Sequence, residues 1–160
     1  MTWTGRPDNE PCCGDAPGAV ACEEDVVRLL HCRILEPDQA AFTRSDLVPN
    51  SAAPSNVCGE ADGCSVDRST GMTDDEIRAR AVAQAEKKPG REGRGGLVAS
   101  VAALRSITHP DAPGGAVRVY DDPRADNDRH AVIRLSEGIP RSDFSQIRRA
   151  LINAFGRRVA

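Results

Sequence analysis

Aromatic side chains are scarce in this chain: one Trp, one Tyr and three Phe among 160 residues, with only two Met and, on the basic side, only two lysines, Lys87 and Lys88. A core built without large rings must come mainly from Val, Leu, Ile and Ala, which predicts a thin interior of modest stability. No stretch approaches the ~20 consecutive apolar residues that a membrane span needs. The opening Met1-Thr2-Trp3-Thr4-Gly5-Arg6-Pro7 lacks the apolar segment behind its single Arg that a secretory signal requires. A cytoplasmic protein is the expectation, and in that compartment thiols stay reduced or bind metal rather than forming a disulfide framework. Cysteine is itself missing from the last 96 residues.

Arg, Ala, Gly, Pro and Asp are what the chain has in quantity, a composition that fits a GC-rich bacterial genome. The formal net charge of −3 conceals an uneven distribution. Residues 1–64 carry 4 Arg against 11 Asp and Glu, whereas residues 65–160 carry 17 basic against 13 acidic side chains. An acidic head and a basic body follow, able to attract one another or simply to be solvated.

Residues 1–21 mix Pro, Gly, Asp, Asn and Ala without periodicity and read as a disordered tail, because they bury too little apolar surface to offset ordering. A single domain over 22–160 is expected. Its first element, 23–35, is ambiguous: Leu30, Cys32 and Ile34 alternate as in a strand, but the acids at its start also suit a helix. Residues 36–64, punctuated by Pro37, Pro49, Pro54, Gly59 and Gly63, read as a long irregular connection of the kind that often carries function. Thr73-Asp74-Asp75-Glu76 is a capping box opening a helix that runs to Lys88, with Ile77, Ala81, Val82 and Ala85 inward. Pro89 to Gly96 reads as a flexible turn, Leu97–Val101 as a buried strand, and 116–120 and 131–135 as two more strands. A last helix opens at Ser142 and presents Phe144, Ile147, Leu151, Ile152 and Phe155 on one face before Gly156. The fold class expected is α+β: a small antiparallel or mixed sheet with two or three helices on one face.

All six cysteines, Cys12, Cys13, Cys22, Cys32, Cys58 and Cys64, lie in the first 64 residues. A zinc site drawn from His31, Cys32, Cys58 and Cys64 is one reading, although none of their spacings is the short C-x₂₋₄-C pair that fixes two tetrahedral ligands. Ordinary thiols are the other. A Cys–His nucleophile lacks the local setting that would depress a thiol pKa, and Cys58 with Cys64 form a candidate redox pair. Gly90-Arg91-Glu92-Gly93-Arg94-Gly95-Gly96 lacks the G-K-[ST] ending of a phosphate loop and leads into a strand. Arg148, Arg149, Arg157 and Arg158 form a basic edge, but helix C-termini favour cations in any protein, and no aromatic platform accompanies the Arg-Gly-Gly, so nucleic acid is not the expected partner.

The richest polar constellation is Asp121, Asp122, Asp126, Asn127, Asp128 and His130, in the loop between two expected strands, with Ser65, Asp67 and Arg68 as candidate neighbours. Ser65-Val66-Asp67-Arg68, then Gly96-Leu97-Val98, Asp122-Pro123 and Asn127-Asp128-Arg129-His130-Ala131, resemble segments of a group of small uncharacterised bacterial proteins that carry Ser-Val-Asp-Arg and Asn-Pro-x-His-Ala patterns. Asp128 stands where that pattern prefers Pro. The resemblance implies no activity; it nominates Asp67, Arg68, Asn127 and His130.

Two functions compete. An accessory or adaptor protein working through protein contacts is favoured by the absence of a recognisable catalytic motif and by the irregular segments. The alternative is a small hydrolase or transferase on an anionic substrate, with His130 as acid/base, Arg68 as anion clamp and Asp67 or Asp121 as orienter. Asn127, Arg148 and Arg149 are the binding candidates outside that set, and a zinc-stabilised binding module is the third possibility.

Overall fold

A computed structural model describes residues 19–33, 63–136 and 138–160. Its strands are β1 (Asp25–Arg33), β2 (Cys64–Arg68), β3 (Arg91–Ser100), β4 (Val117–Asp121), β5 (His130–Leu135) and β6 (Arg157–Val159). Among the described residues three α-helices accompany them: α1 (Asp74–Glu86), α2 (Val101–Arg105) and α3 (Phe144–Ala154), the last preceded by a 3₁₀ turn at Arg141–Asp143. The strands form one sheet in the order β4-β5-β2-β1-β3-β6, every neighbouring pair antiparallel. The fold is therefore α+β with an antiparallel sheet.

The ambiguous first element is a strand, and its position explains the ambiguity. β1 lies between β2 and β3, and both of its faces are covered. Val26 belongs to the larger core with Val66, Ala99, Leu104, Ile147 and Leu151, whereas Val27 belongs to a smaller core with Ile77, Val98 and Val159. A strand buried on both sides loses its polar alternation and so resembles a helix in sequence. The same two clusters place α2 and α3 on one face of the sheet and α1 on the other, so the helices are shared between the faces rather than gathered on one.

α1 begins as its capping box requires: the Thr73 hydroxyl accepts from the Glu76 N–H at 3.2 Å, and the Glu76 carboxylate accepts from the Thr73 N–H at 2.6 Å. Ile77, Ala81 and Ala85 are buried beneath it, but Val82 faces outward, 46% exposed. Two further expectations are corrected. The glycine-rich 90–96 stretch is mostly strand, since β3 starts at Arg91. A Cβ at Gly93 would stand 2.6 Å from the carbonyl carbon of Ala81, and one at Gly95, whose φ is +70°, would stand 2.8 Å from that of Val159. These glycines let α1 and β6 lie against β3, a packing role rather than a hinge role. Beyond Gly156 the chain adds β6 to the sheet edge, with Val159 buried. Ala19 and Val20, at the end of the stretch read as a tail, are buried; residues 1–18, and 34–62 of the long connection, lie outside the described residues.

Candidate functional site

β2 alternates, and that alternation sorts the residues nominated from sequence. Cys64 and Val66 face the larger core, and Arg68, of the same parity, lies on their side. Its guanidinium grips both carboxylate oxygens of Glu24, at 2.8 and 2.9 Å, and reaches Asp121 at 3.2 Å, all three side chains being buried. Ser65 and Asp67 face the other way, into a groove of about 610 Å³ between α1, β1, β2 and the β4–β5 hairpin. Val27 and Leu29 supply its apolar floor; His31, Arg80, Gln84, Lys87, Arg124, Asp126, Asn127 and His130 complete it. Its size lies within the usual range for a ligand site.

Asp67 and His130 are direct cross-strand partners. Between them and the helix runs a closed polar network. Asp67 accepts from Arg80 Nε at 3.0 Å and from Asn127 Nδ2 at 2.8 Å, and the Asn127 side-chain oxygen accepts from Arg80 Nη2 at 2.9 Å and from the Arg129 N–H at 3.2 Å. Asn127 can reach so far because Arg124 and Asn127 exchange backbone hydrogen bonds at 3.0 Å, which folds the hairpin tip back over β2. Helix, strand and loop are thus tied at one point, and the groove is preformed. Arg129 donates to the carbonyls of Arg68 and Thr70; burial, with the positive charge of Arg80 nearby, lowers its pKa from the usual guanidinium value.

His130 is buried at the groove wall. Its Nδ1 stands 2.8 Å from the Asp122 backbone carbonyl and 3.1 Å from the Asp122 carboxylate, which also takes Arg124 Nη2 at 3.2 Å. The residue that orients His130 is therefore Asp122, not Asp67 or Asp121. Asp67, Asn127 and His130 are brought together; Arg68 and Asp121 are on the opposite face. Arg148 and Arg149 lie on α3, whose Ile147 and Leu151 pack into the larger core on that same opposite face.

Of the zinc candidates, the two whose side chains are described lie apart. His31 lines the groove, whereas Cys64 is buried in the larger core, and Cys58 and the Cys32 side chain lie outside what is described. No group of three or more His, Cys, Asp or Glu side chains among the described residues is placed to hold a metal ion.

Arg80, Asp122 and Arg124 are the functional candidates that the residue pattern did not single out. Asp122 sat in the flagged constellation without a role; β4–β5 pairing continues past the strand ends, with the Asp122 N–H donating to the His130 carbonyl at 3.1 Å, and that continuation sets the two side chains together. Arg80 had a helical signal, one turn beyond Ile77, but which helix side meets which strand is decided by packing.

The class defined by this geometry is a six-stranded antiparallel α+β domain with a preformed polar groove under one helix. Compared with known proteins, the chain matches no family model, no curated protein and no solved structure.

Proposed function

We propose that the chain is a bacterial, cytoplasmic accessory protein that works by gripping an acidic segment of a partner protein in the groove under α1. The observation that carries this reading is the preformed groove itself, tied by the Asp67–Arg80–Asn127 network and bearing Arg80, Lys87 and Arg124. A rigid site of this kind saves the ordering cost that weakens flexible binders, and its cations favour an acidic occupant. Contact through a broad apolar surface has less support, since Val82 is the one exposed large apolar side chain among the described residues. No described helix is long and apolar enough to cross a membrane, in keeping with this setting.

The test is a photo-crosslinking residue at Gln84, which lines the groove and is exposed, combined with reversal of two cations, Lys87→Glu and Arg124→Glu. An adduct that forms with the parent chain and weakens about tenfold in the double variant, a loss of ~1.4 kcal/mol, supports the reading. An adduct indifferent to both reversals and to added salt overturns it.

A further inference from the structure

The three histidines are held differently. His31 also lines the groove, but its Nδ1 accepts from Arg91 Nη1 at 3.2 Å, so the lone pair of its neutral ring is engaged. His109 has both ring nitrogens occupied: Nδ1 accepts from the Asp111 N–H at 3.0 Å, and Nε2 meets the Asp143 carboxylate at 2.8 Å. His130 is held on one side only. The two oxygens of Asp122 that face its Nδ1 are both acceptors, so Nδ1 carries the proton and the lone pair of the neutral ring lies on Nε2. Arg124 Nε also points at this Nδ1, at 3.3 Å, but it is the longest of the three contacts, and the guanidinium is anchored through the Asp122 carboxylate. No described residue hydrogen-bonds Nε2, and the ring lines the groove.

We propose that the groove is also a hydrolytic site, with His130 Nε2 as general base and Asp122 as its positioning residue, acting on a carboxylic ester that carries an anionic group. This goes beyond accessory binding. The class of electrophile follows from there being one such imidazole. In acyl transfer the proton enters and leaves on the same side of the carbonyl carbon, so one ring serves both steps; an in-line phosphoryl displacement separates the attacking and leaving oxygens. The anionic group follows from the groove's charge: Arg28, Arg80, Lys87 and Arg124 line it against the carboxylates of Asp67 and Asp126.

The step balances. As a water oxygen bonds to the ester carbon, one water proton passes to Nε2, and the carbonyl oxygen takes the negative charge. The carbon–oxygen bond to the alcohol then breaks, and Nε2 returns the proton to the departing oxygen. The products are a carboxylic acid and an alcohol, with His130 neutral again. The buried Asp122 carboxylate stabilises the transient imidazolium.

The experiment is hydrolysis of p-nitrophenyl hemisuccinate and p-nitrophenyl acetate by the purified full chain, with free imidazole at equal concentration as reference. A rate about 100-fold above imidazole, with the hemisuccinate preferred, is expected. His130→Asn keeps an amide N–H where Nδ1 stands and lacks Nε2, so it should retain the fold and fall to the imidazole rate, whereas His109→Gln should not change the rate. Asp122→Asn should lower kcat with KM unchanged, the mark of a residue acting through His130. Nitrogen NMR of the histidine rings gives a substrate-independent readout: His130 should be the Nδ1–H tautomer. A parent rate no better than imidazole, an undiminished His130→Asn variant, or an Nε2–H tautomer overturns the proposal. The crosslinking outcome at Gln84 is independent of all three, so the binding reading stands or falls separately.

Discussion

Removing the Arg68 guanidinium takes from Glu24 and Asp121 the cation they share while both carboxylates stay buried. Breaking one side of a buried ion cluster costs about 3–5 kcal/mol, so Arg68→Ala should lower the urea midpoint steeply while leaving any groove ligand's affinity in the surviving folded fraction unchanged. Asn127→Ala should do the reverse. It removes contacts that are only part-buried, costs roughly 1–3 kcal/mol, and frees the hairpin tip from Asp67 and Arg80, so ligand affinity should fall more than stability; equal losses in the two variants would contradict this division. That Asp67 and Arg68 have separate duties was within reach of the sequence: consecutive residues of a strand point to opposite faces. What hid it was the strand itself, five residues long with Ser65, Asp67 and Arg68 making it polar, so that the four nominated residues looked like one cluster when only Asp67, Asn127 and His130 are.

At the level of elements, α1, α3, β4 and β5 were legible because their signals are local: a capping box, a one-sided apolar face, alternating runs. β3 was legible only in its second half, from Leu97; its first half was not, because the reason for its glycines lies in other elements. Gly93 sits where α1 crosses, and an added methyl would press on the helix backbone at Ala81 and Val82. Gly93→Ala should therefore destabilise by about 1–3 kcal/mol, the range for overpacking, read as a drop in thermal midpoint, while Gly90→Ala meets no steric contact and suffers only from its positive φ. A Gly93→Ala variant as stable as the parent would mean that α1 does not lie this close. Val82 offers the complementary check. Being exposed on α1, Val82→Lys should change stability by no more than ~0.5 kcal/mol, whereas Ile77→Ala, earlier in the same helix and fully buried, should cost about 2–5 kcal/mol.

The whole molecule is a sheet whose order bears little relation to chain order. β1 closes against β2, which follows it in the chain only after residues 34–63, and β2 then waits for β5, with Val66 paired to Ala131 and Asp67 to His130. At the other edge, Val98 of β3 pairs with Arg157 of β6, after α2, β4, β5 and α3 have all been made. Among the described strands only β4 with β5 is a local hairpin. Pairings this distant require loop closure before they return any contact energy, and domains dominated by them fold in milliseconds to seconds. Stopped-flow circular dichroism of the full chain should show the sheet signal arriving on that scale, and microsecond folding would argue against this strand order. The same topology ranks the strands in the native state. β1 is paired on both sides and sandwiched between the two apolar clusters, so its amides should exchange only through global unfolding. β6, three residues at an open edge, should open first, and because Val159 is part of the cluster under α1, its opening should loosen the helix that walls the groove. Hydrogen exchange at β6 and α1 that rises together, while β2 and β5 stay protected, is the expected pattern; a groove helix as protected as β1 would show that β6 is not what holds it.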